Sequence, residues 1–438
     1  MTLSPDPSAI DEADGPVPTA DGPVVMVDVY APTMRLAEAF IAAGRPVVRV
    51  QSTPEVPPVY RASFRADIFL DNIVHEGDLK QTAKAVSAHA PTAVLTGGEL
   101  GVELADQLSE LLGLATNGTA HSAARRDKFQ QMETVKRAGI PGSRQILAES
   151  AGQLADFHRE LGGRVVVKPI RSAGNDGVHF CETPEDSAAA YRAIAQAVNI
   201  FSFRNEGVVA QEFLRGTEYV VNTVSCRGSH RATDVWEYTK ISVNGVSNRI
   251  SGALSVAPAE PARAALVAYA FDVLDALEVR HGPAHLEIML TPDGPRLVEA
   301  GIRLCGADTA YYARLATGES QVERTVDAYL NPTEFLHRLR APHRTTHHVA
   351  MAFLTSPVSG TLKSYPLLGL VEELESFHNA QTFVQPGERL PLTVDDTTEP
   401  MMIGLAHPDR SVLERDFATV CYLDGHGFYE LEPAGAAS

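Results

Sequence analysis

The chain has 438 residues, of which 44% are hydrophobic, and its formal net charge is −18. This length is too great for one ordinary domain and favours about two to four packed lobes. The large excess of carboxylates argues against a nucleic-acid partner or an anionic membrane surface, because both need clustered Lys and Arg, although a local basic pocket could still hold a small anion.

The first residues and the cysteines bear on the cellular compartment of the protein. Residues 1–22 are rich in Pro, Asp, Gly and Ala and lack the basic start and apolar core of a signal peptide, so we predict a disordered leader. The cysteines are far apart and form no CxxC pair, so no disulfide framework or zinc site is expected: Cys181, Cys226, Cys305 and Cys421. The sequence has no run of 18 apolar residues, so no membrane span is predicted. We expect a soluble, cytoplasmic protein.

Residues 23–120 read as an N-terminal α/β domain. Strand-like runs (VVMVDVY, PVVRVQS and TAVLTGGE) alternate with helical runs (MRLAEAFIAAG and LGVELADQLSELLG). This alternation predicts a doubly wound parallel sheet, in which ligands bind beyond the carboxyl ends of the strands. The loop at 96–99, Thr-Gly-Gly-Glu, lies at one such end.

Two further regions follow. Residues 121–335 contain a helix, a short buried strand ending in Lys168, a glycine-rich loop at 172–177, two more strands, an amphipathic helix and a hairpin. We predict one domain here, with a smaller lobe at about 140–215. Residues 336–438 alternate short strands with turns and are predicted to form a separate α+β lobe.

The hairpin PAHLEIML-TPDG-PRLVEAG is the most informative local feature. Its first strand alternates between a polar face, with His285, Glu287 and Met289, and an apolar face, with Leu286, Ile288 and Leu290. In the returning strand, the same alternation places Leu297 and Glu299 on one face and Val298 on the other. If the turn is centred on Asp293, Glu287 lies directly across from Glu299, and parity favours that register.

Two carboxylates directly opposite each other on a sheet repel, so something should neutralise them. Mg²⁺ suits this role, since it typically takes one or two carboxylates together with substrate phosphates. The alternative is a pair of solvated glutamates on an exposed sheet face. His281 and His285 are four residues apart but belong to no HEXXH motif, and they are more readily explained as hydrogen-bonded structural residues.

A buried lysine and a glycine-rich loop point to phosphate. Lys168 ends a valine strand, where it either faces a phosphate or reaches out to solvent from the strand edge. The loop Ser-Ala-Gly-Asn-Asp-Gly at 172–177 has backbone N–H groups that could wrap phosphate oxygens. It is not a P-loop, because GxxxxGK[ST] is absent, and GxGxxG is absent as well.

In their order and spacing these elements resemble the ATP-grasp superfamily, in particular its L-amino-acid ligase branch, the bacilysin-type dipeptide synthases. The resemblance covers residues 24–330 and, more loosely, the last hundred. It implies an ATP-grasp fold of mixed α/β and α+β class, with an N-terminal doubly wound parallel-sheet domain, central ATP-grasp lobes and a C-terminal α+β lobe.

The resemblance also assigns roles to individual residues. It implies that ATP is bound at the phosphates by Lys128 and Lys168, at the γ-phosphate by a closing loop with Ser172, Gly174 and Gly177, at the adenine edge by Gln211, Glu212 and Leu214, and at the ribose by Glu218. Glu287 and Glu299 would hold Mg²⁺, for which Mn²⁺ could substitute. Arg303 would be the catalytic residue that stabilises the transferring phosphoryl group, and the substrate site would include Glu99, Gly301 and Arg303.

One position departs from the family pattern. The family usually reads Glu-x-Asn-x-Arg, with the asparagine also on metal, whereas this chain reads Glu299-Ala300-Gly301-Ile302-Arg303. Gly301 offers no side chain, so either a metal takes a water there or its geometry differs.

The expected activity is that of an ATP-dependent ligase. It would join the carboxylate of an amino acid to an amine, in the favoured case of another amino acid, through an acyl phosphate, and it would release ADP and phosphate. The alternatives are another ATP-grasp biosynthetic ligase, such as one forming a γ-glutamyl amide, and a catalytically inactive nucleotide-binding regulatory protein. The presence of Glu287, Glu299 and Arg303 together favours an enzyme. Its expected partners are small amino acids, with no nucleic acid or membrane, and a homodimer is compatible with the resemblance.

Overall fold

The computed structural model describes residues 21–30, 33–342, 344–425 and 427–433. The predicted leader at 1–22 therefore lies outside the described residues except for its last two positions. None of the helices in these ranges combines the length and apolar composition that crossing a membrane requires.

The N-terminal region is the predicted doubly wound sheet of parallel strands. Its elements are β1 (Val24–Val27), α1 (Met34–Ala42), β2 (Val47–Gln51), β3 (Asp71–Val74), α2 (Leu79–Ser87), β4 (Ala93–Thr96) and α3 (Val102–Leu111). The four strands lie in the order β3-β2-β1-β4. Val24 and Met26 face a core with α1, whereas Val25 and Val27 face a core with α2 and α3, because helices cover both faces of the sheet.

The small lobe is a four-stranded antiparallel sheet covered by two helices. It follows α4 (Lys128–Arg137) and consists of β5 (Gln145–Ala148), α5 (Ala151–Leu161), β6 (Val165–Pro169), β7 (His179–Cys181), α6 (Pro184–Gln196) and β8 (Val208–Glu212). The strand order is β5-β8-β6-β7. Asp127 caps α4 by accepting hydrogen bonds from the N–H groups of Phe129 and Gln130, which fixes Lys128 as the first residue of the helix.

Five long strands and a helix form the large lobe. They are β9 (Thr217–Cys226), β10 (Ser229–Val243), β11 (Val246–Ser255), α7 (Pro261–Ala276), β12 (Gly282–Thr291) and β13 (Gly294–Gly301). The buried side chains of α7 pack with Leu286 and Ile288 of β12 in one hydrophobic core. The apolar face predicted for the first hairpin strand is therefore confirmed.

The remaining elements include three further strands of the same sheet, a small separate sheet and five helices. They are α8 (Thr309–Thr317), α9 (Gln321–Leu330), α10 (Pro332–His337), β14 (His348–Phe353), β15 (Gly360–Ser364), α11 (Leu368–Glu372), β16 (Phe377–Thr382), β17 (Arg389–Leu390), β18 (Met401–His407), α12 (Arg410–Leu423) and β19 (Glu430–Leu431). The large sheet has eight strands in the order β13-β12-β9-β10-β11-β14-β18-β16, and β17-β15-β19 form a small one. The region expected to be a separate C-terminal lobe thus adds three strands to the central sheet.

Candidate active site

A cleft of about 1250 Å³ lies between the small lobe and one face of the eight-stranded sheet. Most of the residues predicted to form the site line it: Lys128, Lys168, Ser172, Gly174, Gln211, Glu212, Leu214, Glu218, Glu287, Glu299, Gly301 and Arg303. The other two predicted residues, Glu99 and Gly177, do not line the cleft.

The two glutamates of the hairpin are direct partners in the β-ladder, as predicted, but by a different route. The turn is a tight one, with Thr291 paired to Gly294, and this register would place Val298 opposite Glu287. A β-bulge between Glu287 and Ile288 shifts the pairing by one residue, so that Glu287 pairs with Glu299.

The bulge also corrects one prediction about the returning strand. Leu297 pairs with Ile288 and is fully buried in the core beside α7. It therefore points away from the face that carries Glu299, and the assumption that Leu297 and Glu299 share a face was wrong. The extra residue, Val298, is what allows an apolar residue and a glutamate two positions later to face opposite sides.

The two carboxylates of Glu287 and Glu299 fit a divalent cation that is bound together with a nucleotide. Among the described residues, no three His, Cys, Asp or Glu side chains are grouped to hold a metal by themselves. Mg²⁺ needs no such group, because phosphates and water supply its remaining ligands. Burial favours the protonated form of Glu287, but the hydrogen bond from His285 and nearby lysines hold its pKa below the ordinary value, so a carboxylate is available.

Lys128 connects the hairpin to the glycine-rich loop. Its Nζ donates to the carbonyl oxygen of Ser172 at 2.9 Å and lies 2.8 Å from Glu299 Oε1. The lysine thus neutralises one of the two adjacent carboxylates and brings a positive charge to the loop. The predicted repulsion between the glutamates is relieved in this way by the protein itself.

Lys168 is the second cation of the cleft. It is 4% exposed, and among the described residues its Nζ has one hydrogen-bond acceptor, the carbonyl oxygen of Val298, at a long 3.4 Å. Burial lowers its pKa to about 8, although Glu299 and Glu287 favour the charged form. A lysine so poorly paired is well suited to a phosphate.

The loop at 172–177 makes a tight turn with left-handed backbone at Gly174, Asn175 and Gly177. Ser172 Oγ donates to Asp176 Oδ2 at 2.7 Å, and the same oxygen accepts from the N–H of Ile200 at 2.8 Å. A Cβ on Gly177 would approach Pro169 Cγ to 2.9 Å. Gly177 is therefore required by the turn, whereas Ser172 and Gly174 face the cleft.

Two glutamates of the segment that joins the small lobe to the large lobe, Glu212 and Glu218, are already bonded to basic side chains. Glu212 accepts from the N–H and Nε of Arg144, both at 2.8 Å, so its carboxylate is engaged outside the cleft. Glu218 accepts from Lys240 Nζ at 2.5 Å. Burial raises the pKa of Glu218, and the adjacent Lys240 opposes that shift.

Glu99 lies behind Arg303. Arg303 Nε donates to Glu99 Oε2 at 2.9 Å, and Arg126 donates to the other carboxylate oxygen. Burial alone would raise the pKa of Glu99, but the two arginines lower it to about 2. Glu99, in the turn that follows β4, therefore connects the N-terminal sheet to the arginine of the cleft.

Gly301 leaves room for the same arginine. A Cβ at this position would lie 3.3 Å from Arg303 Cζ, so a larger side chain would press on the guanidinium. His285 pairs with Gly301 across the ladder. Its Nδ1 is 2.9 Å from Asn222 Oδ1, and its Nε2 is 3.5 Å from Glu287 Oε1.

Two residues of this region were not predicted to take part in the site. His285 was interpreted as structural, although strand alternation already placed it on the face of Glu287, and it both lines the cleft and is hydrogen-bonded. Lys240 had no local signal, because its partner Glu218 lies on a neighbouring strand. Only the pairing of β9 with β10 brings the two together.

Comparisons with known proteins identify relatives of this chain. A family model described as an ATP-grasp domain matches residues 161–310. The chain is 30% identical over 417 residues to dapdiamide A synthase of Enterobacter agglomerans, which covers 93% of this chain and 97% of that protein. It is also 20% identical over 303 residues, 68% of each protein, to the L-arginine-specific L-amino acid ligase of Bacillus subtilis.

The fold has a counterpart among solved structures. An L-amino acid ligase from Bacillus licheniformis superposes with a TM-score of 0.73 at 17% identity, over 94% of this chain and all of that one. The chain therefore belongs to the ATP-grasp family, in its L-amino-acid ligase branch, and is an ATP-dependent ligase that forms carbon–nitrogen bonds.

Proposed function

We propose that this ligase activates the carboxylate of an amino acid, or of a related acid, as an acyl phosphate and joins it to the amine of a second amino acid. ADP and phosphate are the other products. The names of two relatives, dapdiamide A synthase and an L-arginine-specific L-amino acid ligase, support amino-acid substrates.

The observation that carries the proposal is the position of Lys128. It contacts both the glycine-rich loop, at Ser172, and the paired glutamates, at Glu299. A triphosphate lying between loop and hairpin would meet this ammonium, and the buried Lys168 lies in the same cleft. The γ-phosphoryl group would then face the open part of the cleft, where a carboxylate can reach it.

The metal would be held by Glu287 and Glu299, with Mg²⁺ preferred and Mn²⁺ as a substitute. Bound there, it would supply positive charge to the phosphate oxygens. The nucleotide would further contact Gln211, Leu214 and the backbone of Glu212 at the adenine, and Glu218 at the ribose. All four of these residues line the cleft beside the small lobe.

Arg303 would stabilise the transferring phosphoryl group. Glu99 holds its Nε, and the carbonyl oxygen of Leu304 accepts from Nη1 at 3.0 Å, so the fork is fixed from behind. A carboxylate is a poor electrophile at neutral pH, and phosphorylation gives it a good leaving group. Fixed cations around the oxygens are the main contribution a protein makes to such a transfer.

Isotope labelling tests the acyl phosphate directly. Attack of the carboxylate on the γ-phosphorus, followed by displacement of phosphate by the amine, transfers one carboxylate oxygen to the phosphate. With ¹⁸O in the carboxyl substrate, mass spectrometry should find one labelled oxygen in the released phosphate per turnover. Unlabelled phosphate, or label in AMP, would contradict the proposal. Productive substrate pairs can be found by screening phosphate release with amino acids in pairs.

A further inference from the structure

Two glutamines lie side by side at the end of the cleft that is proposed to hold adenine. Gln145 of β5 and Gln211 of β8 are direct partners in the antiparallel ladder, and on its other side Gln211 pairs with Val166 of β6. Gln211 and Val166 line the cleft, whereas Gln145 does not. Gln211 is therefore the glutamine that can meet a base, and Gln145 stands behind it.

Hydrogen bonds fix which end of the Gln145 amide faces which neighbour. The two ends differ, because the amide oxygen only accepts hydrogen bonds and the amide nitrogen only donates them. Gln145 Nε2 donates to the carbonyl oxygen of Phe129 at 2.9 Å and to Glu133 Oε1 at 3.0 Å. The amide of Gln145 cannot turn around without losing both bonds and placing its own oxygen against two others.

Glu133 keeps this role because it stays ionised. Burial alone would raise the pKa of Glu133, but hydrogen bonds from Lys136 and Gln145 lower it. Lys136 Nζ lies 2.6 Å from the same Oε1, three residues further along α4. At neutral pH Glu133 is therefore a carboxylate, which accepts hydrogen bonds and donates none.

The orientation of Gln145 determines that of Gln211. With its nitrogen held by Phe129 and Glu133, Gln145 presents Oε1 to Gln211, whose Nε2 donates to it at 2.9 Å. The other end of the Gln211 amide, Oε1, must then point away from Gln145. Among the described residues this oxygen has no donor, and it is not fully enclosed, so it opens on the cleft that Gln211 lines.

We infer that Glu133 and Gln145 are positioning residues that fix Gln211 as a hydrogen-bond acceptor and thereby make the base site selective for adenine. The inference rests on the proposed function, because that proposal places the adenine edge at Gln211. Adenine carries a donating amino group at C6, whereas guanine and hypoxanthine carry an accepting oxygen there. With either of these two bases, two oxygens would face each other and Gln211 Oε1 would lack a donor, which typically costs about tenfold or more in affinity.

The relay from Glu133 through Gln145 is needed because a free glutamine can accept either kind of base. If nothing held Gln211 Nε2, the amide could turn and donate to an oxygen at C6. A glutamate at position 211 would need no relay, since both oxygens of a carboxylate accept hydrogen bonds. This difference between glutamine and glutamate supplies the test.

Nucleotide binding can be measured without turnover. We would determine the Kd values of ADP and of inosine diphosphate (IDP), each with Mg²⁺, by isothermal titration calorimetry. The unchanged protein should bind ADP at least about tenfold more tightly than IDP. In Gln145→Leu the ratio of the two Kd values should fall at least about fivefold through tighter binding of IDP, because Gln211 can now turn. General damage to the site would weaken both nucleotides instead, and that outcome, or an unchanged ratio, would overturn the inference.

A double variant separates positioning from a structural role. Gln145→Leu/Gln211→Glu should recover the preference for ADP, because the carboxylate accepts from the amino group at C6 without the relay. A double variant as unselective as Gln145→Leu would overturn the inference. Gln145 is half-buried on the edge strand β5, so the fold should tolerate leucine, and Gln145→Ala is the second variant that removes the amide. Gln153→Leu, at an exposed glutamine of α5 outside the cleft, is the control and should leave both Kd values unchanged.

These outcomes are distinct from those that test the ligase proposal, because calorimetry with diphosphates requires no reaction. Equal Kd values for ADP and IDP in the unchanged protein, together with ¹⁸O in the released phosphate, would overturn the inference and leave the acyl phosphate standing. Selective binding of ADP that is relaxed in Gln145→Leu, together with unlabelled phosphate, would support the inference and contradict the acyl phosphate.

Discussion

Arg303 is positioned by a buried ion pair whose two halves come from different domains. Glu99 lies three residues after β4 of the N-terminal sheet, and Arg303 follows β13 of the large sheet. A carboxylate that is only 6% exposed would be costly without cations, and Arg126 and Arg303 both supply them. The resemblance implied that Glu99 belongs to the substrate site, whereas its hydrogen bonds with Arg303 and Arg126 support an indirect role, in which it orients Arg303.

Replacing Arg303 with lysine should lower kcat about a hundredfold or more while the KM for ATP changes little. An ammonium cannot pair with Glu99 and also hold two phosphoryl oxygens, as the planar guanidinium can. Steady-state kinetics of Arg303→Lys would be compared with Arg296→Lys, a change in the same hairpin at a residue whose hydrogen bonds, among the described residues, go to the carbonyl oxygens of Asp293 and Pro295. An effect mainly on the KM for ATP would mean that Arg303 binds the ground state.

The lowered pKa of Lys168 leads us to expect that ATP binding depends on pH. Its pKa is lowered to about 8, so the ammonium loses its proton as the pH rises through 8 and the attraction for phosphate falls. The KM for ATP should therefore be constant below about pH 7 and rise above pH 8. Lys168→Arg keeps its charge at these pH values and should remove the rise. The same rise in both proteins would assign it to another group.

At the scale of single elements, the bulge in the β12–β13 hairpin decides which face carries Glu299. A regular ladder continued from the turn would direct Glu299 toward the core, since Leu297 already lies there. The glycine-rich loop is a second local device. Its two glycines both have left-handed backbone, but a Cβ at Gly177 would approach Pro169 Cγ to 2.9 Å, whereas a Cβ at Gly174 would lie 3.9 Å from Asp396 Oδ2.

This difference predicts unequal effects of two similar substitutions. Gly174→Ala and Gly177→Ala both place an L side chain in the left-handed region, which costs roughly 1–2 kcal/mol. Only the alanine at Gly177 also collides with Pro169, at 2.9 Å. Thermal unfolding should therefore show a midpoint at least about 2 °C lower for Gly177→Ala than for Gly174→Ala. Equal midpoints would mean that the ring of Pro169 yields without cost.

At the scale of the whole molecule, one continuous sheet connects the nucleotide cleft to the C-terminal region. β11 pairs with β14, and the tip of the β10–β11 hairpin is held by Asn244, which donates to the carbonyl oxygens of Ser356 and Thr393, both at 2.9 Å. Arg249 adds the ion pairs with Asp396 and Glu399. One guanidinium serves two carboxylates here, so burial and mutual repulsion prevail over attraction at Glu399.

The raised pKa of Glu399 leads us to expect that the stability of the folded protein depends on pH. Its pKa is raised from an ordinary value of 4.5 to about 8 in the folded protein. Between these values the folded state binds more protons than the unfolded state, so this group makes stability fall as the pH rises from about 4.5 to 8. The melting temperature of Glu399→Gln minus that of the unchanged protein should grow between pH 5 and 8. The exposed Glu372→Gln is the control, and a constant difference for Glu399→Gln would contradict the prediction.

The sequence by itself determined the local elements and the order in which they occur. Alternating apolar residues located the core face of β12 and placed Glu287 on the opposite face, because a side chain's face in a regular strand follows from its position along the chain. The pairing of Glu287 with Glu299 was predicted, but it depends on a bulge that the alternation did not indicate. The alternation of strands and helices before residue 120 predicted the parallel sheet, because a helix that connects two strands across a sheet leaves those strands parallel.

Only the tertiary structure decided the contacts between distant segments. Arg303 and Glu99 are 204 residues apart, and no local periodicity predicts their ion pair. The bulge at Val298, the pairing of Lys240 with Glu218 and the joining of β14 to β11 likewise depend on which strands become neighbours. Local patterns determine which way a side chain points, whereas the packing of whole elements determines what it meets.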